Sequence, residues 1–228
     1  MSEKSLPENI TQDIIFIIDE SGSMSSMGDE PVQAVNRFIQ DQKIAMGDDG
    51  ASFSLWKFNS KVVKLIDDIP LKDVKEFSDF SPNDMTALYD AVGCAIENKK
   101  KKSSFKNVIC IILTDGLENS SSEFSAENIR DMIKDMEDNH NWKFVYLGAN
   151  QDAFKVGGNI GVTRCAQYNC APGEMTGITR EVSEAVTSYR VNSANIGKEA
   201  CLTLPVNFER SKQTSPVIEA RQQMTSPY

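Results

Sequence analysis

The 228-residue chain has very little histidine, and this scarcity excludes several kinds of catalysis. Its single histidine, His140, lies in a polar stretch ahead of a predicted strand, which places it at the end of the sheet opposite the carboxyl ends of the strands. A serine or cysteine nucleophile therefore has no histidine base to activate it. The Gly-x-Gly-x-x-Gly and P-loop patterns of nucleotide-binding proteins are absent as well.

Long apolar runs are also missing. The longest unbroken ones lie around residues 14–18 and 108–113, and both have the length of a strand and not of a membrane span. The first nine residues are polar and lack the apolar core of a signal peptide. We therefore expect no membrane partner and a cytoplasmic location, which would be the host cytoplasm for a viral protein.

The chain also lacks a basic surface for nucleic acid. It has 24 basic and 33 acidic residues and a formal charge of −9, whereas nucleic-acid binding needs cations to neutralise phosphates. The one basic run, residues 99–102 with Lys106, closes a predicted helix. Because cations complement a helix C-terminus, we interpret this run as a solvated helix end, with a docking patch as the alternative. We expect no nucleic-acid partner.

Cysteine is present in an odd number, five residues, which favours a reducing compartment. Cys94 and Cys110 lie inside apolar helix and strand patterns, where a cysteine behaves as a small hydrophobic residue. Cys165 and Cys170 have no second cysteine or histidine pair to complete a zinc site. No disulfide framework or zinc centre is therefore predicted.

What the sequence does contain is a regular alternation of strand and helix patterns. Strands are predicted over residues 14–18, 51–59, 61–69, 108–113, 142–147 and 162–168. Helices are predicted from Pro31, over 86–100, after Ser125, over 152–156 and over about 176–195. This order predicts an α/β fold, with a mainly parallel, doubly wound sheet, one antiparallel edge strand and helices on both faces. We expect one domain over residues 10–195 and a C-terminal tail, an extended or docking segment, over 196–228.

Oxygen-bearing side chains gather where ligands bind in such sheets, beyond the carboxyl ends of the strands. The first strand runs into Asp19-x-Ser21-x-Ser23, Thr86 stands at the start of the helix predicted over 86–100, and Asp115 follows a buried strand. Mg²⁺ prefers about six oxygen ligands, and two carboxylates with three hydroxyls would supply five. We predict these five residues as metal ligands, direct or through water. Mn²⁺ and Ca²⁺ are alternatives, whereas oxygen-only ligation disfavours zinc and copper.

These five residues resemble, position by position, the metal-ion-dependent adhesion site of von Willebrand factor A domains. The resemblance covers about residues 10–195, and residues 86–91 and 146–152 look most like stand-alone cytosolic versions in bacteria and their viruses. It implies a Rossmann-like six-stranded sheet, Mg²⁺ at its rim, adhesion in place of catalysis, and movement of the last helix on ligand capture. Family members often have glycine where this chain has Asp84, which implies either an extra outer carboxylate or weaker binding of acidic partners.

The resulting hypothesis is a non-enzymatic module that captures an Asp or Glu of a partner protein through Mg²⁺. Resemblance suggests an AAA+ ATPase or an assembly component as the partner. One alternative is a structural or assembly protein, viral ones included, whose metal site is stabilising or vestigial. A phosphohydrolase of the haloacid dehalogenase type is less favoured, because Ser21 stands where that chemistry needs a second Asp as general acid.

Several other residues are predicted to surround the proposed centre. Glu20, Met24 and Met27 follow the first strand, and the two methionines are predicted either as an adaptable apolar collar for a partner or as locally packed loop residues. Glu118 and Asn119 follow Asp115, where they either orient metal-bound water or are solvated.

Overall fold

Six strands form one mixed sheet within the part of the chain that the structure describes. The structure, a computed structural model, describes residues 12–46, 51–102, 107–149, 153–196 and 200–204. The strands are β1 (Asp13–Asp19), β2 (Ser52–Phe58), β3 (Val62–Pro70), β4 (Val108–Thr114), β5 (Lys143–Ala149) and β6 (Cys165–Tyr168). The α-helices are α1 (Glu30–Met46), α2 (Leu88–Lys100), α3 (Ala126–His140), α4 (Ala153–Asn159) and α5 (Glu174–Ile196).

The strand order is β3-β2-β1-β4-β5-β6, and β3 alone among these six runs antiparallel to its neighbour. The chain leaves β1 in one direction towards β2 and later returns to the other side of β1 with β4. This reversal of strand order creates a crevice at the carboxyl ends of β1 and β4, where doubly wound folds bind ligands. The predicted fold class, with its antiparallel edge strand, is confirmed.

The buried central strands divide the core into two layers. Alternate side chains of β1 point to opposite faces, so that Ile14, Phe16 and Ile18 join the layer under α1 and α5. Ile15 and Ile17 join the layer under α2 and α3. Because every β1 residue is buried, the strand has an unbroken apolar run in place of the alternation of a one-sided sheet.

Two helix ends differ from the sequence interpretation. The side chain of Lys99, predicted to be solvated, is buried and places its Nζ 2.7 Å from Asp13 Oδ2 and 2.6 Å from Asp68 Oδ1. Buried charges require such partners, so the solvated-end interpretation is wrong for Lys99. The start of the same helix also shifts, since α2 begins at Leu88 and not at Thr86.

Only a short part of the predicted tail is among the described residues. Ala200 and Leu202 are buried against the layer under α1 and α5, and Arg164 Nε donates to the Leu202 carbonyl at 3.1 Å. Residues 205–228 lie outside the described residues, and the division into domain and tail stays a prediction. None of the helices in the described ranges is long and apolar enough to cross a membrane.

Candidate metal centre

The centre begins with a buried carboxylate at the end of β1. Asp19 is fully buried, and each of its carboxylate oxygens accepts a hydrogen bond. Thr114 Oγ1, at the end of neighbouring β4, donates to Asp19 Oδ2 at 2.6 Å, and the Ser21 amide donates to Asp19 Oδ1 at 2.7 Å. These two bonds fix the orientation of the carboxylate at the carboxyl edge of the sheet.

Two serine hydroxyls connect this strand end to Asp115. Ser21 Oγ and Ser23 Oγ lie 3.1 Å apart, and Ser23 Oγ donates to Asp115 Oδ1 at 2.6 Å. The serines belong to the turn after β1, whereas Asp115 follows β4. Adjacent parallel strands β1 and β4 therefore bring together side chains that are 92 residues apart in sequence.

Thr86 completes the group around Gly116. A Cβ atom placed on Gly116 would lie 2.9 Å from Thr86 Oγ1, 3.4 Å from Asp19 Oδ2 and 3.5 Å from Ser23 Oγ. Three oxygens from two separate segments of the chain, the end of β1 with its turn and the segment before α2, thus face one small space that a side chain at position 116 would fill. All five predicted residues are brought together, and their role as metal ligands stays a prediction.

The electrostatics of this group favour a cation. Burial raises the pKa of Asp19, and burial together with the nearby Asp19 charge raises the pKa of Asp115 to about 6. Lys57, whose backbone pairs with Ile18 of β1, places its Nζ on Glu20 and Asp79 instead. Among the described residues, no lysine or arginine contributes to the pKa shift of Asp19 or Asp115. Two carboxylates and three hydroxyls in such surroundings fit a hard divalent cation.

A softer metal has no comparable site elsewhere in the described ranges. No group of three or more His, Cys, Asp or Glu side chains there is placed to hold a metal ion. The candidate centre itself has only two carboxylates, and its other three side chains are the hydroxyl residues Ser21, Ser23 and Thr86.

Asn119 holds Thr86 in place through the backbone. The Thr86 amide donates to Asn119 Oδ1 at 2.8 Å, while the Thr86 carbonyl accepts from the Asn119 amide at 3.0 Å and the Ser120 amide at 3.3 Å. The Thr86 carbonyl accepts these loop amides while the Asp90 amide donates to Ser121 Oγ at 3.1 Å. The helical bond between residues 86 and 90 is therefore replaced, and α2 starts two residues later than predicted. Asn119, predicted either to orient metal-bound water or to be solvated, is exposed and in addition holds Thr86 through these contacts.

Glu118 has a related role in the same loop. Its carboxylate accepts backbone amides from Tyr89 at 3.0 Å, Ser120 at 2.9 Å and Ser121 at 2.7 Å. A carboxylate with this many donors ties the loop after β4 to the start of α2. From the sequence, Glu118 is predicted either to orient metal-bound water or to be solvated, and no sequence pattern indicates that its carboxylate would bind these backbone amides.

Glu20, predicted at the rim, is buried and structural. Its Oε1 atom accepts from Lys57 Nζ at 3.0 Å and from the Ser81 amide at 2.6 Å. The Glu20 carbonyl accepts the Asn83 amide at 2.9 Å, so this residue anchors the segment that leads to Thr86. Of the predicted methionine collar, Met24 is fully buried and Met27 is half-buried against the core, which supports local packing.

Asp84 occupies a position that suits glycine. Its φ is 64°, in the left-handed region that a side chain disfavours, and its carbonyl accepts the Gly22 amide at 3.0 Å. This backbone geometry is a physical reason for the glycine that the resemblance implied at this position. The side chain of Asp84 is exposed, and its role as an outer carboxylate stays a prediction.

Fold and site together define an α/β domain with an oxygen-lined centre at the carboxyl edge of its sheet. The family model of the von Willebrand factor type A domain matches residues 13–160, and the chain belongs to this family. Domains of this family commonly mediate protein–protein interaction and are generally non-catalytic. A comparison with curated protein sequences found no match.

Solved structures with the same fold have low sequence identity to this chain. A von Willebrand factor type A protein from Catenulispora acidiphila is 15% identical with a TM-score of 0.57, covering 79% of this chain and 42% of that one. The vWF domain of the type V pili tip protein Mfa5 from Porphyromonas gingivalis is 10% identical with a TM-score of 0.59, covering 78% and 95%. Proximal thread matrix protein 1 from the mussel byssus, with a zinc-occupied MIDAS motif, is 20% identical with a TM-score of 0.52, covering 78% and 46%.

Sequence identities of 10–20% show that these proteins share the fold of this chain, and they show nothing about its function. The chain spans less than two thirds of the Catenulispora and byssus proteins, so their other parts have no counterpart in the match.

Proposed function

We propose that this domain binds a Mg²⁺-class ion and uses it to capture an Asp or Glu side chain of a partner protein. The supporting observation is the convergence of three separate loops at Gly116, where the added Cβ would meet oxygens of Thr86, Asp19 and Ser23 within 3.5 Å. Ser21 and Asp115 join the same group through Ser23.

The residues divide into two roles in this proposal. Asp19 and Asp115 supply the negative charge that a divalent cation requires, and the hydroxyls of Ser21, Ser23 and Thr86 supply neutral oxygens. The bound ion would polarise and attract an incoming carboxylate. Because Mg²⁺ prefers six oxygens and the protein offers five side chains, at least one position is available to an oxygen from outside.

The family and the named neighbours support a protein as the partner. Two of the neighbours are a pili tip protein and a byssus thread matrix protein, and the latter has a zinc-occupied MIDAS motif. We extend to this chain the binding of a divalent metal, with Mg²⁺ first and Mn²⁺ or Ca²⁺ as alternatives. An AAA+ ATPase or an assembly component remains the candidate partner, in the cytoplasm.

Calorimetric titration with Mg²⁺, together with thermal unfolding, tests the metal. Wild-type protein should bind the ion and gain stability that EDTA removes, because a ligand of the native state stabilises it by mass action. Asp19→Asn should lose both effects, while Asp135→Asn, an exposed carboxylate on α3, should keep them. A wild-type protein without metal-linked heat or stabilisation would remove the basis of the proposal.

Two further outcomes would favour the alternatives. Partner binding that survives both Asp19→Ala and EDTA would favour a structural protein whose metal is only stabilising. Metal-dependent hydrolysis of an aryl phosphate, abolished by Asp19→Asn, would favour a phosphohydrolase.

A further inference from the structure

Two exposed apolar side chains stand beside the proposed ligands. Of the six large hydrophobic residues that are exposed within the described ranges, Met85 at 55% directly precedes Thr86, and Leu117 at 60% directly follows Gly116. We propose that these two residues form an apolar rim that selects partner segments in which the acidic residue is flanked by large apolar side chains. This inference rests on the proposed function and names the partner's local sequence chemistry.

Both rim residues stand on backbone that is held in place. The Met85 amide donates to Ser60 Oγ at 3.2 Å, and Thr86, the next residue, is clamped by Asn119. Leu117 lies between Gly116, whose amide donates to Thr114 Oγ1 at 3.2 Å, and the amide-binding Glu118. Their exposure is therefore a property of fixed loops, and a partner would find the rim already formed.

The rim also lies where a captured carboxylate would arrive. Two hydrogen bonds join the loops of Thr86 and Asn119: the Thr86 amide donates to Asn119 Oδ1 at 2.8 Å, and the Asn119 amide donates to the Thr86 carbonyl at 3.0 Å. Met85 and Leu117 flank this junction in sequence. An acidic side chain that enters the centre brings its neighbouring residues to the surface around it. Apolar neighbours would cover the two exposed side chains, whereas polar neighbours would leave them in water.

Charge argues against a partner that is simply acidic. The chain has a formal charge of −9, so its net charge repels a run of acidic residues, which only the ion would attract strongly. Apolar contact adds affinity without adding charge, and salt does not screen it. One acidic residue between apolar neighbours therefore fits this surface better than an acidic run.

Three synthetic peptides test this preference: Gly-Gly-Xaa-Glu-Xaa-Gly-Gly with Xaa as Leu, Ser or Glu, capped at both ends. Each is titrated into ¹⁵N-labelled protein in Mg²⁺ and again in EDTA, at physiological ionic strength. Burial of about half of a Leu or Met side chain corresponds to roughly tenfold in affinity. We expect the Leu peptide to bind at least about tenfold more tightly than the Ser peptide, and the Glu peptide to bind no better than the Ser peptide.

A double variant separates the rim from the metal. Met85→Ser combined with Leu117→Ser should abolish the difference between the Leu and Ser peptides while the stabilisation by Mg²⁺ remains. Ile44→Ser, which removes a side chain 82% exposed on α1, is the matched control and should keep the difference.

Three results would overturn the inference. Equal Mg²⁺-dependent binding of all peptides, or a Leu preference that persists in the double variant, would reject the rim and leave the proposed function intact. Mg²⁺ binding without any Mg²⁺-dependent peptide binding would reject carboxylate capture, and the rim with it.

Discussion

Replacement of Gly116 by alanine is a sharp test of where the ion binds. The new Cβ would lie 2.9 Å from Thr86 Oγ1, inside normal contact distance, and 3.4 Å from Asp19 Oδ2. Thr86 cannot retreat freely, because Asn119 holds its amide at 2.8 Å. The methyl group therefore enters the space that the ligand oxygens face and pushes at least one of them away.

The expected magnitudes differ with and without metal. Displacing one ligand or its support typically weakens metal binding about 10–100-fold. At a Mg²⁺ concentration about 100 times the wild-type Kd, wild-type protein gains about 2.7 kcal/mol, whereas a 100-fold weaker site gains about 0.4 kcal/mol. For a domain of this size the difference corresponds to a Tm shift of about 5–10 °C.

In EDTA the two proteins should differ only by the effect of the added methyl group on folding, without the metal-linked part. Overpacking costs about 1–3 kcal/mol, and loss of glycine flexibility in the unfolded chain returns about 0.4–1 kcal/mol. Thermal unfolding with and without Mg²⁺ measures both effects. Gly158→Ala is the control, since a Cβ on that helical glycine meets nothing within 4 Å. A Gly116→Ala protein that keeps the full Mg²⁺ stabilisation would show that the ion binds elsewhere.

Three further substitutions have definite expected outcomes. Asn119→Ala removes the acceptor of the Thr86 amide and should weaken Mg²⁺ binding about tenfold in calorimetry. Asp84→Gly relieves the φ of 64° and should raise the free energy of unfolding in urea by about 0.5–1 kcal/mol. Lys99→Met leaves buried carboxylates unpaired and should cost about 3–5 kcal/mol in urea unfolding near pH 7. Burial alone would raise the pKa of Asp68, but Lys99 and hydrogen bonds lower that pKa below 3.8. The stabilisation from this ion pair is therefore present above about pH 4 and is lost as the pH falls further. In Lys99→Met this loss of stability in acid should be absent.

Each of these has an outcome that would contradict it. The control for Asn119→Ala is Asn139→Ala, which changes an exposed residue of α3. If Asn119→Ala binds the metal as tightly as this control, the contacts between Asn119 and Thr86 do not position the ligands. Asp84→Ala keeps a Cβ at the strained position, so a gain equal to that of Asp84→Gly would exclude backbone strain as the cause. A Lys99→Met protein as stable as wild type would show that the buried ion pairs contribute nothing net.

The fold was predictable because its signals are local and repeated. The apolar run of β1 and the helix start at Ser125 have patterns that depend on near neighbours, and Ser125 does cap α3 as predicted. The convergence of Asp19, Ser23 and Asp115 followed from a topological rule about strand ends. Their action as metal ligands remains a prediction.

What sequence reasoning missed depends on contacts between distant segments. Lys99 belongs to a run of lysines, and nothing local shows that Asp13 and Asp68 enclose it. Asn119 and Glu118 read as loop residues because their partners are backbone amides, which leave no pattern in the sequence. A polar side chain that binds backbone is visible only once the loops are placed.

Anomalous diffraction from crystals of the protein soaked in Mn²⁺ tests the central claim most directly. The account predicts one strong peak beside Gly116, at roughly 2.1–2.3 Å from hydroxyl oxygens of the turn after β1 and of Thr86, and no such peak in Asp19→Asn crystals. A well-ordered centre without a peak, or a peak bound only by other residues, would contradict it.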